Sequence, residues 1–194
     1  VITIVIPTVH PDEAAETARL AELTAGHTCK TVIVHDAKGD GFSRTVNRGW
    51  MLSEGDTMIL NDDIEWFSYN WLDTLQRALY DDESYGIVGP SGKSSTKPMC
   101  YGWAGQGGLE IVDHLPFWCV LVKRDVVDQI GYLDEAFIHY GSDNYYCKMA
   151  AKAGYKTVWV RDVFLKHTHH GSGLIFEWKE HDDLVWASKK RLLR

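Results

Sequence analysis

The sequence has no apolar run approaching the roughly 18–20 residues of a membrane-spanning helix, so a transmembrane segment is not expected. Its four cysteines, at 29, 100, 119 and 147, form no Cys-x-x-C pair, which removes the simplest zinc and redox motifs. Cys119 and Cys147 lie in apolar or aromatic segments and read as reduced core residues, consistent with a cytoplasmic setting. Basic charge is scarce. The 20 Lys and Arg against 27 Asp and Glu leave a net charge of −7, which argues against general nucleic-acid binding. No internal repeat is visible. The opening apolar stretch, residues 1–6, lacks the basic region and length of a signal peptide and is followed by Pro7, so it reads as a strand. A P-loop is also missing: Gly92-Lys93-Ser94 looks like the end of one, but the required earlier glycine is replaced by Ile87.

What is present is an ordinary globular composition, 45% hydrophobic and 24% charged over 194 residues, enough for one domain covering 1–194. Continuous β-branched or apolar runs at 1–6, 31–35, 57–60 and 86–90 read as strands buried on both faces. Helical spacing lies between them, at 12–25 with Gly26 as its stop, after Ser43 as an N-cap, and at 70–80. This β-α-β-α-β-α-β order predicts an α/β fold with a mostly parallel central sheet flanked by helices. Residues 91–115 read as a long functional loop. A strand is expected at 117–122, a helix at 124–130, and a helix at 142–153 capped by Ser142. Strands at 156–160 and 163–166 and a C-terminal helix complete the chain.

Polar residues fall just after these strands, where open α/β sheets hold their ligands. They are Thr8, Asp36, the turn Asn61-Asp62-Asp63, and the cluster His167-Thr168-His169-His170. Two adjacent carboxylates ending a buried strand repel each other unless a cation, a donor-rich ligand or water faces them. Oxygen ligands of this kind suit Mg²⁺ or Mn²⁺ carrying a phosphate; a plain polar turn is the alternative. A histidine near such a pair is a metal-ligand candidate, and otherwise a satisfied core or surface residue. Asp143 begins a helix, where an N-cap role is equally open.

The segments in order resemble the family 2 type of glycosyltransferase with the GT-A fold. Thr3-Ile4-Val5-Ile6-Pro7-Thr8 is similar to the family's first nucleotide-binding strand. Asp36 stands where the family places an acidic residue against the base. Asn47-Arg48-Gly49 resembles its Asn-x-Gly helix, and Leu60-Asn61-Asp62-Asp63 its variant of the Asp-x-Asp motif. Gly131-Tyr132-Leu133-Asp134-Glu135-Ala136-Phe137 is close to Gly-x-Leu-Asp-Glu-x-Phe. Ala153-Gly154-Tyr155-Lys156 and His167 follow in register. One departure stands: the family's Gly-Glu-Asp is Gly141-Ser142-Asp143 here, so no second carboxylate precedes Asp143.

The resemblance implies a metal-dependent inverting transfer from a UDP-, GDP- or dTDP-linked sugar to a hydroxyl of a glycan or other acceptor. It implies donor contacts from Pro7, Thr8, Asp36, Arg44, Asn47, Asn61 and Asp62. Mn²⁺ or Mg²⁺ would sit on Asp63 with His167 or His169, and Asp143 would act as general base. Arg44 reads equally as a solvated helix residue. Trp103, Trp118 and Tyr140 are candidate sugar-stacking surfaces or core aromatics. The alternatives are a catalytically inactive sugar-nucleotide or glycan-binding module, and a nucleotidyltransferase. The latter is disfavoured because Thr8-Val9-His10-Pro11 is no Gly-rich basic loop.

Overall fold

The computed structural model describes residues 1–94, 107–168 and 176–193. Trp103 and His169 lie outside the described residues. In chain order the elements are β1 (Ile2–Thr8), α1 (Pro11–Thr24), β2 (Cys29–His35), α2 (Phe42–Trp50), β3 (Thr57–Leu60), β4 (Ile64–Phe67), α3 (Trp71–Leu79) and β5 (Tyr85–Ser94). There follow β6 (Leu109–Val112), β7 (Cys119–Val122), α4 (Arg124–Ile130), α5 (Ser142–Lys152), β8 (Lys156–His167) and α6 (Phe176–Lys189).

The strands form one sheet in the order β2-β1-β3-β7-β5-β8-β4, with β6 also on β8. Among the described residues β1, β2, β3, β5 and β8 run one way, and β4, β6 and β7 run against them. The ends of β1, β2, β3 and β8 therefore lie along one edge of the sheet. That edge carries Thr8, Asp36, the Asn61-Asp62-Asp63 turn and His167.

The apolar runs are continuous because both sheet faces are covered. Successive residues of β3 feed opposite layers. Met58 and Leu60 pack with α1 and α3, while Ile59 packs with Val46 and Trp50 of α2 and with α4 and α5. Gly49 lets α2 approach the sheet, since a Cβ there would lie 2.5 Å from Val5 and 2.8 Å from Val34. Trp71 is fully buried and its indole N–H donates to the Ala21 carbonyl at 3.1 Å, tying α3 to α1. Trp71→Ala should cost about 3–5 kcal/mol in urea unfolding through the cavity it leaves. A loss under about 1 kcal/mol would mean that this layer collapses freely.

The structure corrects several expectations. Ser43 and Ser142 are not N-caps. Gly41 (φ 88°) and Gly141 (φ 80°) take those positions, and both serines are buried in the first helical turn. The chain turns into each helix through a left-handed backbone, which favours glycine. The two strands expected at 156–160 and 163–166 are one strand, β8. Its register against β5 jumps from Val160 to Phe164, so the polar Arg161-Asp162 pair is absorbed as an irregularity. Part of the expected loop at 91–115 is strand: β5 extends to Ser94, and β6 pairs with β8. β4 was not anticipated. It pairs antiparallel with the end of β8, so the Asn61-Asp62-Asp63 turn is a tight link between two strands.

Candidate functional site

The β4–β8 ladder sets the site's geometry. Ile64 lies opposite His167, and both the backbone N–H and the hydroxyl of Thr168 donate to the Asp63 carbonyl, at 3.0 and 2.8 Å. This brings the Asp63 carboxylate to 2.8 Å from His167 Nε2. His167 is 1% exposed, and the Trp118 ring stacks on it at 5.2 Å and 8°. The Asn61 amide reaches within 3.5 Å of the same His167 nitrogen. Three strand ends thus converge on one imidazole.

A cleft of about 270 Å³ opens on one side of this centre. Pro7 and Thr8 line it from β1, Asp36 from the end of β2, Phe42 and Thr45 from α2, and Asn61 and Asp62 from the β3–β4 turn. His139 and Trp178 close it. The Thr8 hydroxyl donates to the Asp62 carboxylate and accepts the His10 N–H at 2.7 Å. Thr17 holds the Asp62 carbonyl at 2.6 Å. Burial pushes the Asp62 carboxyl up, the Thr8 hydrogen bond opposes this, and neighbouring Asp63 adds to the rise. The Asp36 carboxylate accepts the N–H groups of Asp40 and Gly41 at 2.8 and 2.9 Å, which fixes the turn into α2.

A second cleft of about 230 Å³ adjoins the first and shares Phe42, Asn61 and His139 with it. Trp118, Tyr140, Ser142, Asp143 and His167 are among its lining residues. The Asp143 carboxylate accepts the Asn144 N–H at 2.7 Å. Burial nevertheless pushes its carboxyl above the usual carboxylate range, against the Asn144 N–H and the nearby His114. A partly buried carboxyl with a raised pKa in a cleft is a common signature of a functional acid or base.

The structure therefore brings together Pro7, Thr8, Asp36, Asn61, Asp62, Asp63, Trp118, Tyr140, Asp143 and His167. It leaves two expected donor residues outside the first cleft. Arg44 is half-exposed, lies 3.7 Å from Glu135 and borders a separate hollow with Gly39 and His181. Asn47 is buried and occupied: its amide binds the Leu133 carbonyl at 2.9 Å and Glu135 at 3.1 Å, and it accepts the Leu133 N–H at 3.1 Å. Its role is to tie α2 to the chain ahead of α5. Trp118 is only 7% exposed and packs on His167, so it supports that imidazole more than it offers a sugar platform. His139, Phe42 and Trp178 were missed. They lie far apart in the sequence, and only the tertiary fold gathers them, with ring centroids of His139 5.9 Å from Phe42 and 6.1 Å from Trp178.

Among the described residues no group of three or more His, Cys, Asp and Glu side chains gathers into a metal cage. The Asp63–His167 pair offers one carboxylate oxygen and one imidazole nitrogen side by side, a donor set that suits Mn²⁺ or Mg²⁺ when a diphosphate and water supply the remaining ligands.

This sheet order, with an acidic turn at the ends of its parallel strands, defines a GT-A-like fold, and solved structures agree. S. aureus TarS, residues 1–349, matches with a TM-score of 0.67 at 11% identity, over 86% of this chain and 60% of that one. GalNAc-T7, solved with UDP, GalNAc and Mn²⁺, matches at 0.63 and 13%, over 97% and 50%. The mannosyltransferase PcManGT from Pyrobaculum calidifontis, solved with GDP-Man and Mn²⁺, matches at 0.61 and 15%, over 98% and 64%. The chain thus spans between half and just under two thirds of these three proteins, and identities this low show the fold alone. No family model matches the sequence, and no curated protein matches it. No helix among the described residues is long and apolar enough to cross a membrane.

Proposed function

We propose that the protein is a metal-dependent inverting glycosyltransferase, moving a sugar from a nucleotide-linked donor to an acceptor hydroxyl. The observation that carries this reading is the Asp63–His167 pair, reached by Asn61, which lines two adjoining clefts, the first holding acidic and aromatic groups and the second His167 and a partly buried carboxyl. The bound UDP and GDP-Man of GalNAc-T7 and PcManGT, each with Mn²⁺, support a sugar nucleotide as donor.

In this account the first cleft takes the nucleoside, with Asp36 toward the base and Thr8 and Asp62 toward the ribose. Asp63 and His167, with His169 as the further candidate ligand, would hold Mn²⁺ or Mg²⁺, which when bound would supply Lewis-acid neutralisation of the leaving diphosphate. The acceptor lies in the second cleft beside Tyr140. Asp143 removes the proton from its hydroxyl as that oxygen bonds to the anomeric carbon from the face opposite the diphosphate. The bond from the anomeric carbon to the phosphate oxygen breaks, the nucleoside diphosphate leaves, and the anomeric configuration inverts. The test is turnover of UDP-, GDP- and dTDP-sugars with Mn²⁺, read as release of the nucleoside diphosphate. One carrier should be consumed; no release from any of them, at any acceptor tried, counts against transfer.

The raised Asp143 pKa gives a pH dependence. A base must be ionised, and a raised pKa keeps it protonated to higher pH. The acid limb of kcat/KM should therefore fall above the ordinary aspartate range near about 3.9. A limb at or below that value would remove Asp143 from the role.

Ser142 favours a second reading. With its hydroxyl where a carboxylate was expected, the chain could bind a sugar nucleotide without turning it over. Tight donor binding with no diphosphate release would select that reading.

A further inference from the structure

Asp182 lies in the middle of α6 and is 1% exposed. Its carboxylate is engaged by three consecutive backbone amides: Oδ1 accepts the Ile138 N–H at 2.7 Å, and Oδ2 accepts those of His139 at 2.8 Å and Tyr140 at 2.6 Å. Charge-assisted bonds of this number and length hold a loop in one conformation. From the other side the Ser43 N–H of α2 donates to the Ile138 carbonyl at 3.3 Å. Residues 138–140 are therefore suspended between α2 and α6. His139 lines both clefts, Tyr140 lines the second, and Asp143 follows within one turn of chain after the left-handed Gly141. The same helix places Trp178 in the first cleft, 6.1 Å from the His139 ring. Lys189 pairs with Asp134, and His181 meets the Ala136 carbonyl at 3.0 Å, so α6 is seated along the whole approach to this wall.

We infer that Asp182 is a positioning residue, which fixes the wall shared by the two clefts through the backbone of residues 138–140. The inference rests on the reading of those clefts as donor and acceptor sites. α6 thereby links closure around the donor to the placement of the base, although Asp182 itself touches neither substrate.

The test compares wild type with Asp182→Asn and with Asp183→Asn, an exposed neighbour on the same helix that pairs with Lys179 at 2.7 Å. Asn keeps the volume of Asp182, yet whichever way its amide turns, at least one of the three N–H groups loses its acceptor. Amide hydrogen exchange at 138–140 should quicken by about tenfold or more in Asp182→Asn, with β1 and β3 unchanged. The kcat for sugar-nucleotide turnover should fall by about tenfold, while Asp183→Asn matches wild type in both. Equal exchange at 138–140 in the two variants would overturn the inference. So would a rise spread evenly over β1 and β3, which would mark a general stabilising role. If the wild type neither binds nor consumes a sugar nucleotide, the functional reading fails by itself, and exchange confined to 138–140 still decides the positioning role.

Discussion

Asp143→Asn should lower kcat by about 10²–10⁴-fold, the range that general base catalysis contributes, while leaving nucleotide affinity close to wild type. The carboxylate lines the second cleft, away from the residues that line only the first. Its loss therefore removes proton transfer without disturbing the donor. The same substitution should not weaken the fold. A carboxyl whose folded pKa is raised contributes stability that is present below its unfolded value, about 3.9, and lost as pH rises through the folded value. Above the folded value that contribution is gone, and there a neutral amide avoids burying the charge. Asp143→Asn should accordingly melt at or above the wild-type temperature at pH 7. Lost activity with a lowered melting temperature would instead make Asp143 a structural residue, as its position in the first turn of α5 would allow.

Asp63→Ala should abolish the metal-dependent part of nucleotide binding. At a nucleotide concentration about a hundred times Kd, binding adds about 2.7 kcal/mol to stability. For a chain of this size that corresponds to a rise of roughly 5–11 °C in melting temperature. Asp63→Ala should lose the increment contributed by Mn²⁺, because the imidazole of His167 is left without the carboxylate 2.8 Å away from it. A variant that still shows the full Mn²⁺-dependent rise would place the metal elsewhere. Thr8→Val would be milder. It frees Asp62 from one hydrogen bond but leaves the Asp63–His167 pair in place.

The strand ends were legible because burial on both faces writes itself into the sequence. The runs that became β1 and β3 are continuous, ending at Pro7-Thr8 in the first and at Asn61 in the second. β4 was hidden because Ile64-Glu65-Trp66-Phe67 is four residues long and exposes its two middle side chains. Without β4, the sequence could pair Asp63 with a histidine only by resemblance; the ladder between Ile64 and His167 supplies the physical cause. β6 was hidden by its alternating, half-exposed pattern beside a glycine-rich stretch. The partners of Asn47 and Arg44, Leu133 and Glu135, lie about 90 residues further along the chain, so these contacts were not legible in the sequence. Asp182 could not have been found in advance. In the sequence it is half of an Asp182-Asp183 pair on a charged helix, and only the fold turns one carboxylate inward and the other to solvent.

The most direct test of the central claim is a thermal-shift titration of the whole chain with UDP, GDP, dTDP and CDP, each with and without Mn²⁺. The account predicts that one nucleoside diphosphate raises the melting temperature, that Mn²⁺ enlarges the rise, and that Asp63→Ala removes the enlargement. A melting temperature unmoved by all four nucleotides, with and without Mn²⁺, would contradict a donor site in the first cleft.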